Sequence, residues 1–131
     1  MTSSVSIGGK FLLAIAALFG ALFTTIGVTW LVLPVVASGA LGASLLSGTG
    51  LATQIGDSAS FFLGAGMFML YGVVKRSSAF LMAGALLIGM VAPGRIIAWQ
   101  VHEADLTPEP IVIEVLVFLL VAAAAYAVRK R

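Results

Sequence analysis

The chain contains no cysteine and a single histidine, His102. Disulfides, thiolate metal sites and cysteine nucleophiles are therefore excluded, and one histidine cannot assemble a multi-histidine metal centre within a subunit. No metal or cofactor is expected. Charge is almost as scarce, with 7 Lys+Arg and 5 Asp+Glu making up 9% of 131 residues. A soluble domain carries about 25% charged residues, so this chain has too few to hydrate the surface of a water-soluble globule. A soluble enzyme, a nucleic-acid-binding domain and a disordered chain are all excluded on this ground. What fills the sequence instead is 61% hydrophobic residues, at a mean hydropathy of +1.18. This is the composition of an integral membrane protein, whose first partner is the lipid bilayer.

A hydrocarbon core about 30 Å thick takes roughly 20 apolar residues in a helix. Four stretches qualify: residues 11–36, 58–74, 79–99 and 111–128. The first resembles a signal peptide at its ends, with Lys10 before it and Ala37-Ser38-Gly39 after it. It is too long, because the apolar segment of a signal peptide runs about 7–15 residues. The runs are continuous rather than alternating, which excludes a β-barrel. The expected fold is all-α, a four-transmembrane-helix bundle forming a single integral membrane domain over 1–131.

Orientation follows from the basic residues in the short flanks. Lys10, Lys75, Arg76, Arg129, Lys130 and Arg131 share one side, and only Arg95 lies on the other. The sequence thus predicts a multi-pass protein of the cell's inner (plasma) membrane with both termini cytoplasmic. The acids Asp57, Glu103, Asp105, Glu109 and Glu114 gather at the outer ends of their spans. Trp30 and Trp99 near the outer boundary, with Tyr71 and Tyr126 near the inner one, fit aromatic belts.

Lys75-Arg76-Ser77-Ser78 joins the second and third spans as a tight hairpin. Pro108 and Pro110 end one helix region and preset the start of the next. Asp57 or Ser58 is placed to cap the second span. Residues 38–56 mix glycines with Leu41, Leu45 and Leu46. They are expected as an outer interfacial segment, either a short helix with a loop lidding the bundle or a loop without helix. Gly64-Ala65-Gly66, Ala83-Gly84-Ala85 with Gly89, and residues 122–125 are small enough for close helix approach. So small a bundle is also expected to self-associate or to join a larger membrane complex.

A charge within the hydrocarbon costs about 2.5–3.5 kcal/mol on insertion scales, so it generally faces the bundle interior beside a partner. Arg95 falls roughly 24 Å across the third span, and Glu114 about 5 Å inside the fourth. Both therefore sit at similar depth, with Asp57 at the same level. The planar guanidinium matches two carboxylate oxygens at once, and Pro93 removes a helix hydrogen bond nearby. One reading is an outward-facing polar pocket in which Arg95, Glu114, Asp57, Trp99 and His102 bind a lipophilic molecule or membrane partner. In a second, Glu114 or Asp57 is a general acid/base for isomerisation, epoxide opening or cyclisation, and Arg95 stabilises negative charge. In a third, the protein is a structural accessory subunit whose charges merely pair or snorkel to headgroups.

At Gly94-Arg95, the turn bearing Pro108 and Pro110, Glu114 and the basic terminus, the sequence resembles small bacterial four-helix membrane proteins of unknown function related to DoxX-like proteins. Asp57 at the head of the second span is compatible with that pattern. The resemblance implies four helices, no established reaction and no transferable catalytic residue.

Overall fold

The computed structural model describes residues 4–129. Within them the chain forms six helices: α1 (Ile7–Val32), α2 (Pro34–Ala40), α3 (Gly48–Val74), α4 (Ser78–Gly89), α5 (Val91–His102) and α6 (Pro108–Arg129). No strand occurs among the described residues. Four units are long and apolar enough to cross a membrane: α1, α3, α4 with α5, and α6.

The first helix shows how sequence becomes packing. Ser6 caps it, its hydroxyl oxygen accepting a hydrogen bond from the Gly9 amide at 3.1 Å. Its buried residues are Gly9, Leu13, Ala16, Gly20, Phe23, Gly27 and Trp30, alternating four and three apart. That 3.5-residue period is the seam of a left-handed helix pair. Thr24, Thr25 and Thr29 donate their hydroxyl protons to carbonyls one turn back, each at 2.8 Å. Polar groups that water cannot reach in lipid are thereby satisfied. Pro34 ends the helix, because its ring crowds the carbonyl of Trp30 and it has no amide to donate.

α1 packs against α3 and α6, and α4 packs against the same two helices, closing a four-sided bundle. α3 runs antiparallel to α1, since Gly27 lies against Leu63 and Gly20 against Leu70. The approach is closest at Gly66. A Cβ there would stand 2.6 Å from the Thr24 backbone nitrogen and 2.7 Å from the Gly20 carbonyl. Gly84 meets Ala65 and Met69 in the same way. By contrast, a Cβ on Gly64 would meet nothing within 4 Å, so that member of the small-residue run is not part of the seam. Val121, Ala124 and Ala125 of α6 complete the core together with Leu81 and Ala85. Leu18, Leu22, Val28, Leu116 and Leu119 remain exposed, as a lipid-facing surface requires.

Gly9 lies against Ala127, so the first and last described turns share one end of the bundle. Lys10, Lys75, Arg76 and Arg129 gather there; Lys130 and Arg131 fall outside the described residues. The α3–α4 hairpin at this end closes through Arg76 at φ 52°. The Ser77 amide donates to Gly72 at 2.9 Å and the Arg76 amide to Val73 at 3.3 Å, which satisfies the last carbonyls of α3. Tyr71 and Phe80 then pack edge to face, with centroids 4.6 Å apart.

The opposite end departs from the hydropathy boundaries. The second span begins at Gly48, well before residue 58, so 48–56 is the continuous start of α3 rather than a separate short helix or a loop. Neither Asp57 nor Ser58 caps α3, whose N-cap is Ser47. At about 1.5 Å per residue, 27 residues span roughly 40 Å, so the polar first turns of α3 extend beyond a 30 Å core. Residues 34–40 form α2, and Leu45 and Leu46 lie in the loop that follows. Gln54 fastens that loop. Its Oε1 accepts from the Leu46 amide and its Nε2 donates to the Ser44 carbonyl, both at 3.0 Å.

Trp30 is not a belt residue. It is 2% exposed, packed with Ala37 and Ala59, because position 30 continues the buried heptad. Trp99, 44% exposed, does face outward.

Candidate functional site

The third span is interrupted at one residue, Met90. α4 stops at Gly89 and α5 begins at Val91, with Pro93 in its first turn. The missing amide of Pro93 would have bonded the Gly89 carbonyl, and its ring crowds that same carbonyl. The break therefore falls where proline places it. Beyond the break α5 packs chiefly on α6 and diverges from the rest of the bundle. A cavity of about 360 Å³ opens there between α1, α3, α5 and α6.

Its walls are largely apolar and include four phenylalanines. Phe19, Phe23, Phe62 and Phe61 form a continuous chain of rings, with successive centroids 6.3, 6.0 and 5.1 Å apart. Leu22, Ile26, Ile88, Val91, Ile113 and Val117 fill the remaining sides. Ala40 and Leu41, at the C-terminal end of α2, cover one edge. The segment after the first span thus lids the cavity with these two residues.

Arg95 and Glu114 stand on the lining and supply its polar part. Arg95 occupies the second turn of α5, just past the break. Glu114 lies in the second turn of α6, about 9 Å inside its start at 1.5 Å per residue. The Arg95 Nε donates to Glu114 Oε1 at 2.8 Å, with the side chains 36% and 13% exposed respectively. This is a single charge-assisted bond, not the two-oxygen fork that the guanidinium shape suggests. Glu114 Oε2 consequently remains buried without a hydrogen-bond partner. The site thus holds one unused acceptor on Glu114 and the terminal guanidinium nitrogens of Arg95, which the pair does not engage.

The other residues marked from the sequence lie elsewhere. Asp57 is exposed on α3 and makes no ion pair among the described residues. It stands two residues from buried Ala59, about 200° around the helix, so its side of α3 faces away from the bundle. Trp99 and His102 are exposed on the outer turns of α5 and do not line the cavity. The phenylalanine wall was not marked, although Phe19 and Phe23, at i and i+4, share a helix face. A lidding segment was among the expectations for residues 38–56, Leu41 included, and Ala40 and Leu41 are the residues of that region that line the cavity.

Comparison with protein-family models, curated proteins and solved structures gave no match.

Proposed function

We propose that this is a multi-pass protein of the cell's inner membrane that holds a lipophilic molecule at its outer end, with both termini in the cytoplasm. The apolar body of the ligand lies among Phe19, Phe23, Phe61 and Phe62, and its polar head meets Arg95 and Glu114. One observation carries this reading: an ion pair stands on the lining of a cavity of about 360 Å³ that is otherwise apolar. Ligand pockets are typically apolar concavities of about 300–1,000 Å³ with a few polar groups that fix orientation. A pair serving only to neutralise Arg95 has no need of a cavity beside it. The topology rests on the clustering of basic residues at one end. Kinship with the DoxX-like proteins belongs to the same proposal, on the strength of Gly94-Arg95, Pro108, Pro110 and Glu114.

The test is the lipophile content of purified protein. Wild type should carry an extractable apolar molecule, and Glu114→Gln and Arg95→Met should lose it while remaining folded. Equal content in all three proteins, or none in wild type, would remove the pocket from the account.

A further inference from the structure

We infer that the head group this pocket accepts is a neutral hydroxyl, so that the ligand class is a lipid-soluble alcohol drawn from the bilayer. This inference rests on the pocket reading above and names its ligand.

Arg95 and Glu114 neutralise one another across 2.8 Å. A carboxylate or phosphate head at Arg95 within the cavity would also stand close to the Glu114 carboxylate, and an ammonium head at Glu114 close to the guanidinium. Either ion would lose its hydration in an apolar cavity against a pair with no net charge to compensate it. A hydrocarbon would leave Oε2 as unsatisfied as it is now. A hydroxyl group matches what remains, because it donates one proton and offers two lone pairs. Its proton satisfies Glu114 Oε2, and its oxygen accepts from a terminal nitrogen of Arg95. Hydrogen bonds to charged partners are the stronger kind.

The route is written in the walls. Phe61 and Val91 line the cavity and also an open apolar groove on the outer face of α3 and α4, beside Phe68, Leu86 and Met90. These two side chains are all that the groove and the cavity share. The shared wall lies at the break between α4 and α5, where the third span loses its continuity. A molecule dissolved among lipid tails reaches the ion pair by passing between Phe61 and Val91, without crossing water.

Trp30 reports on this, because the cluster it forms with Ala37 and Ala59 packs against Ile26 and Phe62, both of which line the cavity. The experiment uses the full chain carrying Trp99→Phe in phosphatidylcholine nanodiscs, titrated with bromine-ended dodecanol, dodecanoate or dodecane while Trp30 fluorescence is followed. The alcohol should quench saturably, with half-saturation about tenfold below the other two, as one added charge-assisted bond implies. Glu114→Gln and Arg95→Met should each erase that preference, and Ala40→Phe or Val91→Phe should weaken quenching by every probe. If dodecanoate or dodecane quenches as well as the alcohol and remains sensitive to the filling variants, the pocket stands and the hydroxyl assignment is wrong. If no probe quenches saturably, or if the filling variants change nothing, the pocket reading itself fails and the assignment falls with it.

Discussion

The two ends of this bundle are built from the same apolar alphabet and do different things with it. At the basic end, Gly66, Gly72 and Gly84 bring helices close enough that a methyl group has no room, and α6 closes the core with Val121, Ala124 and Ala125. At the acidic end Pro93 breaks the third span, α5 diverges, and phenylalanines line open space. In lipid, helix association depends on packing rather than on the exclusion of water. An end that gives up packing must therefore be held by its neighbours. The contrast places the cavity and its ion pair at the acidic end, beside a close α1–α3 contact that continues there through Gly27.

Substitutions can break that contrast, and the largest effect is expected in the glycine seam. Gly66→Ala drives a methyl group against the Thr24 and Gly20 backbone, and overpacking that cannot relax should cost about 3 kcal/mol. Gly64→Ala, two residues away in open space, should raise the thermal midpoint in detergent slightly, because a mid-helix glycine costs about 0.5–1 kcal/mol. Next comes the ion pair, where the two partners should not be equivalent. Arg95→Met leaves the more buried Glu114 without compensation and should cost about 2 kcal/mol, less than a fully buried pair because Arg95 is partly solvated. Glu114→Gln leaves only the more exposed arginine and should cost about 1 kcal/mol or less. Reversal of that order in denaturant titrations would mean that Arg95, not Glu114, is the desolvated partner.

Smaller effects sharpen the picture of the open end. Pro93→Ala restores a donor for the Gly89 carbonyl and should stabilise the third span by about 1 kcal/mol, less than the cost of a mid-helix proline. Spin labels at Thr53 and Gln100 should then move closer together as α5 straightens; an unchanged distance would place the cause of the break elsewhere. Glu103 ends α5 at φ 56°, a left-handed conformation that costs a side chain about 1–2 kcal/mol. Glu103→Gly should recover about 0.5 kcal/mol after the added entropy of glycine is counted, readable as a small rise in thermal midpoint.

The sequence made the spans legible because apolar length is a direct record of bilayer thickness, and it made the Arg95–Glu114 pairing legible because depth follows from counting residues. It misplaced features that depend on which face of a helix a residue occupies. Asp57 has the right depth and the wrong azimuth. Trp30 looked like a belt residue at the end of a span, although its heptad register with Phe23 and Gly27 put it in the core. The start of α3 was hidden because Thr49, Gln54 and Asp57 lower the hydropathy of turns that are helical all the same. Gly20 and Gly27 went unmarked despite their seven-residue spacing, while Gly64 was marked and lies in open space.

One large side chain placed at each end separates close packing from open space. Ile88 and Val121 are both buried, at 3% and 0% exposure, but only Ile88 lines the cavity. The quantity to measure is the unfolding free energy of Ile88→Phe beside that of Val121→Phe in the same detergent. Ile88→Phe should stay within about 1 kcal/mol of wild type, its ring occupying existing space, while Val121→Phe should lose about 3 kcal/mol. Equal losses at the two positions would mean that Ile88 is packed as tightly as Val121 and borders no usable space.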